Sequence, residues 1–245
     1  MNYNWNWSIF LSPTVTGETT YLGWLFQGLK WTLALSLSAW AVALILGTVF
    51  GVLRTVPQRG LAALGTAYVE VFRNTPLLVQ LFSWYFVLPE LLPASLGNAI
   101  KQTDPMLQQF LAAWLCLGCF TGARVAEQVR AGIESLPAGQ KAAAIALGLT
   151  LPQTYRHVLL PISFRIIVPP LTSEFLNTFK NSAVASTIGL IELSRQSQQL
   201  VDYTAQPFEA FIAVTLLYAL INVTVMVIMR GVEARTRVPG YIGSK

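Results

Sequence analysis

The stretch QKAAAIALGLTLPQTYRHVLLP, residues 140–161, decides how this chain is read. Ala142, Ala143 and Ala144 are followed after three residues by Gly148, and after nine more by Val158-x-Leu160-Pro161. The alanines favour helix, Gly148 permits a sharp exit, and residues 149–161 can begin a second helix. The block therefore predicts two short helices meeting at an angle, closed by Pro161, and it is set among segments built for lipid.

Those flanking segments run over about 24–53, 61–88, 106–121, 164–179 and 208–229. Each reaches or approaches the roughly 20 apolar residues that cross a hydrocarbon core of about 30 Å. Backbone groups in lipid must pair internally, so the segments are expected to be helices. A shorter stretch over 184–193 reads as re-entrant. Over the whole chain, 54% of the 245 residues are hydrophobic, only 11% are charged, and the mean hydropathy is +0.55, which excludes an ordinary soluble domain. The expectation is one all-α integral membrane domain of about five transmembrane helices over residues 21–235. A segment 1–20 precedes it, a tail 236–245 follows it, and a cytoplasmic helical loop over 128–163 protrudes from it.

Segment 1–20 carries no Lys or Arg and no apolar run, so it lacks the marks of a cleavable signal peptide. Cations collect elsewhere: Arg54 and Arg59 after the first span, Arg124, Arg130, Lys141, Arg156 and Arg165 between the third and fourth, and Arg230, Arg235, Arg237 and Lys245 after the last. Lys and Arg accumulate in cytoplasmic loops. Five spans and this bias together put the N-terminus outside and residues 140–161 and the C-terminus inside. Trp5, Trp7, Trp24, Trp84 and Tyr85 read as anchors at the headgroup level.

Small residues and prolines shape the bundle. Gly47 and Gly51, like Gly118 and Gly122, form GxxxG pairs that let helices approach closely. Pro76 falls inside the second span and Pro169-Pro170 inside the fourth, where a missing N–H predicts a kink or break. Cys116 and Cys119 form a CxxC within an apolar run with no second pair and no nearby His, so they read as small packing residues.

Few polar residues are candidates for a pathway. Arg73 lies in the second span, where a charge costs about 2.5–3.5 kcal/mol on insertion scales. Glu70, three residues earlier, is its nearest candidate partner in a structural pair; the alternative is a role in gating or in attracting a substrate carboxylate. Lys180 with Asn181, Ser182 and Ser186 offers a cation beside neutral donors, a surface suited to a carboxylate, or else a lysine snorkelling from a helix end. Glu174 reads as a helix-to-helix hydrogen-bond partner before a ligand. Glu192 and Arg195 are spaced to pair on a solvated turn. His157, the sole histidine, sits in the 140–161 block rather than among other ligands. No P-loop, G-x-S-x-G or metal-ligand pattern is present, so the chain is expected to bind neither ATP nor another cofactor itself.

The spacing over 142–161 resembles the EAA loop of ABC-transporter membrane subunits. Further motifs share the resemblance: Arg73-Asn74-Thr75-Pro76-Leu77-Leu78-Val79-Gln80, then residues 130–140, RAGIESLPAGQ, then Ser173-Glu174-Phe175 and Lys180-Asn181-Ser182. Together they run from about residue 21 to 230 in the order and spacing of permeases for polar amino acids, and are most similar to the glutamate/aspartate branch of binding-protein-dependent importers. That resemblance implies the type I importer permease fold in a bacterial inner membrane. It implies a loop, marked by Ala142, Ala143, Ala144, Gly148, Leu160 and Pro161, that seats in ATPase subunits binding ATP and Mg. It also implies a second similar permease and a periplasmic amino-acid-binding protein. Ala142 stands where the loop often has Glu, and Asn181 where many relatives have Asp; a neutral Asn181 removes repulsion of an anionic substrate. A permease for another polar amino acid such as glutamine, a passive channel and an integral-membrane enzyme are the rival readings.

Overall fold

The computed structural model describes residues 3–236, and among these the regular secondary structure is helical, with one isolated antiparallel bridge, Pro13 to Thr20. Four helices are long and apolar enough to cross a membrane: α1 (Tyr21–Leu53), and, numbered below in chain order, Pro105–Glu134, Leu151–Ile188 and Pro207–Thr236. α1 alone extends roughly 50 Å at 1.5 Å per residue.

The expected second span over 61–88 is instead two helices, α2 (Arg59–Asn74) and the apolar α3 (Leu77–Leu91). The break falls at Thr75-Pro76. Thr75 is extended, with ψ 133°, as a residue before proline prefers, and Pro76 has no N–H to continue the ladder. Arg73 thereby lies in the last turn of α2, where its cation meets the negative end of the helix dipole. After α4 (Ala94–Lys101) come α5 (Pro105–Glu134) and the short α6 (Ala138–Ala146). Then follow α7 (Leu151–Ile188), α8 (Leu193–Thr204) and α9 (Pro207–Thr236). The predicted tail over 236–245, with Arg237 and Lys245, lies outside the described residues except for Thr236.

By packing, the chain forms two compact units. One comprises residues up to 39, 76–117 and 177–224. Its core gathers Leu35, Leu81, Leu117, Ile188 and Leu190, with Cys116 1% exposed and packed as a small residue. Trp84 and Tyr85 pack against this core, while Trp5 and Trp7 are about half exposed. The N-terminal segment is tied to the first turn of α9, where buried Glu209 accepts from the Tyr3 hydroxyl and, at 2.6 Å, the Asn6 N–H.

The other unit comprises residues 40–75, 118–176 and from 225 onward. Here α1 and α5 approach closely along the predicted glycines. A Cβ added to Gly47 would lie 2.4 Å from a Val125 methyl, and one on Gly51 would lie 2.7 Å from the Val129 Cβ and 2.8 Å from the Ala126 carbonyl. Val125 and Val129 join Ala43, Ile133, Tyr155, Leu159 and Ile167 in a second core. Tyr68 of α2 donates to the Cys119 carbonyl at 2.8 Å. Pro169 and Pro170 lie inside a helix that continues through them.

Candidate functional site

The 140–161 block forms a hairpin of α6 and the start of α7, shaped by glycine and threonine chemistry. Gly148 has φ +87°, its N–H bonds the Ile145 carbonyl at 2.9 Å, and the Leu149 N–H reaches the Ala144 carbonyl at 3.1 Å. This pair of bonds closes α6 as a Schellman motif, whose left-handed position suits glycine. Thr150 then opens α7 with a capping box: its hydroxyl accepts from the Gln153 N–H, and the Gln153 side chain accepts from the Thr150 N–H at 2.8 Å. The turn is specified on both sides.

What the hairpin exposes is apolar. Ala142, Ala143, Ala146 and Gly148 are exposed, Ile145 is 49% and Leu147 84% exposed, and Ala144 is buried beneath them. Large apolar residues at a loop apex mark a contact surface.

Leu160 and Pro161 do not close the block, contrary to the sequence expectation. Residues Tyr155–Leu159 make one π turn in which the Leu160 N–H reaches the Tyr155 carbonyl, and the helix runs on from there. The wide turn lets the helix absorb a proline that has no N–H to give. Pro161 is exposed, and Leu160 packs on the core of its unit. A second π turn, Ser83–Val87 in α3, precedes Pro89 in the same way.

Tyr155, which sequence reasoning passed over, is the hairpin's tether. It is 5% exposed, and its hydroxyl donates to the Thr55 carbonyl at 2.8 Å, beyond the end of α1. Lys141 of α6 lies 5.7 Å over its ring. Beside them a cavity of about 300 Å³ is bordered by Arg54, Glu134, Lys141 and Tyr155.

Arg73 pairs with a residue on another helix rather than with Glu70. Glu127 of α5 is the hub: it meets Arg54 at 2.5 Å, Arg130 in a short contact and Arg73 at 3.6 Å, while Arg130 also holds Glu134 at 2.6 Å. Arg73 is 52% exposed, so its longer contact contributes little on its own. Glu127 follows the Gly-Ala-Arg-Val-Ala run by i+3 and i+7 spacing to Arg130 and Glu134, a charge pattern visible in sequence only once that part of α5 is known to be helical.

Glu174 bonds to a neighbouring helix, as expected, and the partner is Arg124 of α5, whose Nε donates to Oε2 at 3.0 Å. Lys180 is exposed and makes no ion pair among the described residues. Ser182 is 1% exposed and gives its hydroxyl to the Phe179 carbonyl at 2.7 Å; Ser186 likewise gives its own to Ala183. These hydroxyls serve their own helix, so the predicted donor surface around Lys180 is reduced to the half-buried Asn181. Glu192 is no solvated pair for the Arg195 side chain. It is fully buried, caps α8 by accepting the Arg195 N–H at 2.9 Å, and accepts from Tyr218 at 2.7 Å and Thr32 at 3.4 Å.

With this architecture in view, comparison with known proteins defines the class. The chain matches the family of binding-protein-dependent transport system inner membrane components over residues 43–238, and it belongs to that family. It is a multi-pass inner-membrane permease subunit with the type I importer fold. It is 56% identical over 246 residues, all of both chains, to the glutamate/aspartate import permease protein GltJ of Escherichia coli K12. It is 35% identical to the probable glutamine ABC transporter permease protein GlnM of Bacillus subtilis, over 85% of this chain and 91% of that one. The solved structure of an amino acid ABC transporter with histidines superposes with a TM-score of 0.74 at 30% identity, covering 88% of this chain and 95% of that one. The MetNI methionine transporter in its inward-facing form shares the fold, with a TM-score of 0.74 at 20% identity.

Proposed function

We propose that this chain is a membrane-spanning subunit of an importer for acidic amino acids, glutamate and aspartate. The full-length identity of 56% to a glutamate/aspartate import permease carries this reading. The α6–α7 hairpin is the coupling element: its exposed apex, with Ala142, Ala143, Leu147 and Gly148, seats in an ATPase subunit, and Tyr155 and the Glu127 network pass the resulting displacement to the helices. ATP and Mg belong to that ATPase; a second, similar permease completes the pathway, and a periplasmic binding protein delivers substrate. The bias of Lys and Arg supports a cytoplasmic hairpin and C-terminus and a periplasmic N-terminus.

The test is reconstitution of the complete transporter in proteoliposomes with its binding protein. ATP-dependent accumulation of glutamate and aspartate is expected, lost without ATP or without the binding protein. Accumulation of glutamine with neither acidic amino acid would overturn the substrate assignment, and flux independent of ATP would overturn the importer.

A further inference from the structure

The cavity of about 300 Å³ at the base of the hairpin gathers positive charge from three sources. Arg54, just past the end of α1, borders it, with Nη1 on Glu127 at 2.5 Å and a buried Nε that meets no acceptor. Lys141 borders it from α6, 5.7 Å over the Tyr155 ring, and makes no ion pair among the described residues. The third source is the start of α6 itself: Ala138 borders the cavity, and the Ala138 and Gly139 N–H groups meet no acceptor among the described residues. Glu134, the acid on the cavity wall, is already held by Arg130 at 2.6 Å. Lys141 is also set against its own helix. It stands one turn into α6, whose first turn holds no acid, so its cation adds to the positive end of the helix dipole instead of offsetting it. An anion between the two reverses that cost.

The rest of the wall identifies which anion. Ile133, Leu136 and Leu159 line the cavity beside the cations, so the ligand it suits is charged on one side and apolar on the other. The cavity also lies where spanning segments finish, since α1 ends at Leu53 and α5 at Glu134. At that depth a bilayer presents phosphate next to glycerol and the first acyl carbons. We propose that this cavity binds the headgroup of an anionic phospholipid, with Arg54 and Lys141 supplying charge and the Ala138 and Gly139 N–H groups donating to its phosphate oxygens. Helix N-termini bind phosphate through such N–H groups, and basic pockets between spanning helices take lipid headgroups. A lipid held there joins the end of α1, the end of α5 and the hairpin through one ligand.

The complete transporter in nanodiscs provides the test, in phosphatidylcholine alone and in phosphatidylcholine with phosphatidylglycerol. Two quantities are read: sub-second hydrogen exchange of the Ala138 and Gly139 amides, and the phosphatidylglycerol retained by the complex in native mass spectrometry. Neither involves transport or the amino acid carried, so they stand apart from the reading given under Proposed function. Phosphatidylglycerol should slow exchange of the two amides roughly tenfold, the scale of a charge-assisted hydrogen bond, while residues 145–148 at the apex exchange alike in both bilayers. Lys141→Gln should lose most of this protection and Lys141→Arg should keep it. Ala138→Pro removes one donor without changing charge, and proline suits the first helical position after the extended Pro137, so the helix should persist while less phosphatidylglycerol is retained. Equal exchange in the two bilayers, or equal protection in wild type and Lys141→Gln, would overturn the site. Equal protection by inorganic phosphate in phosphatidylcholine alone would assign the cavity to a soluble anion and overturn the lipid.

Discussion

Replacing Gly148 separates what the hairpin needs in order to fold from what it needs in order to dock. At φ +87° an L side chain carries a backbone cost of about 1–2 kcal/mol, less for Asn or Asp, which visit this region more readily. No steric cost adds to it, because a Cβ at Gly148 meets nothing within 4 Å. The hairpin also keeps the Thr150 capping box and the Tyr155 bond to Thr55. Gly148→Asp should therefore leave the subunit inserted, with a melting temperature in detergent lowered by about 2–4 °C per kcal/mol. The exposed apex, however, gains a charge on a surface otherwise made of Ala142, Ala143, Ile145 and Leu147. Burying that unpaired charge against an ATPase opposes docking far more strongly than the backbone cost opposes folding. In proteoliposomes, uptake should fall at least roughly tenfold for Gly148→Asp, an energy of only about 1.4 kcal/mol, and much less for Gly148→Ala, which shares the strained φ without the charge. Normal uptake in Gly148→Asp would refute the docking surface. Equal losses in the two variants would assign the effect to backbone strain instead.

Other outcomes follow from the packing. Gly51→Ala should lower thermal stability by about 1–3 kcal/mol, because the new methyl meets the Ala126 carbonyl as well as Val129; Val129→Ala should recover only a small part, since it removes the methyl at 2.9 Å and keeps the Cβ at 2.7 Å, and an unchanged melting curve for Gly51→Ala would contradict the close α1–α5 approach. Tyr155→Phe removes a donor from the Thr55 carbonyl, a loss of about 1–3 kcal/mol if the carbonyl stays dry; hydrogen exchange of residues 138–150 should quicken, and unaltered exchange would show that the tether is unimportant. Glu192→Ala leaves the Arg195 N–H without its side-chain acceptor and the Tyr218 hydroxyl with only Ser194 at 3.3 Å, and should destabilise by at least about 1 kcal/mol. Glu192→Gln keeps an accepting oxygen and should be milder; a ranking in the reverse order, read by thermal unfolding in detergent, would show that a buried charge and not hydrogen bonding matters there.

The positions legible in the sequence are those governed by local chemistry. Gly148 and the alanines of α6 act through their immediate neighbours, so their roles follow from spacing, whereas the equally local capping box of Thr150 with Gln153 was passed over. Gly47 and Gly51 were legible as close-approach positions, though not their partners Val125 and Val129. The break at Pro76 was legible as a kink or break inside one span over 61–88, but hydropathy averaged over that stretch concealed that it yields two helices, of which α2 buries only a narrow stripe around Gly65 and Val69. Charge partnerships were the least legible. Glu70 is nearer to Arg73 along the chain than Glu127, and Arg195 nearer to Glu192 than Tyr218 or Thr32, yet long-range packing decides both cases. Arg124 looked like one loop cation among five until α5 was seen to extend past it.

The π turn at Tyr155–Leu159 bears on the coupling role proposed for the hairpin. A helix turns by about 100° per residue, so the one extra residue of a wide turn rotates everything before it by that angle relative to everything after it. The turn therefore sets the azimuth at which the hairpin leaves α7, much as a keyway fixes a crank on its shaft. Deleting one residue from Tyr155–Leu159 would let the helix close as an ordinary α turn and swing the apex through about a quarter of a revolution, so that a push delivered at Leu147 would reach the membrane helices in the wrong direction.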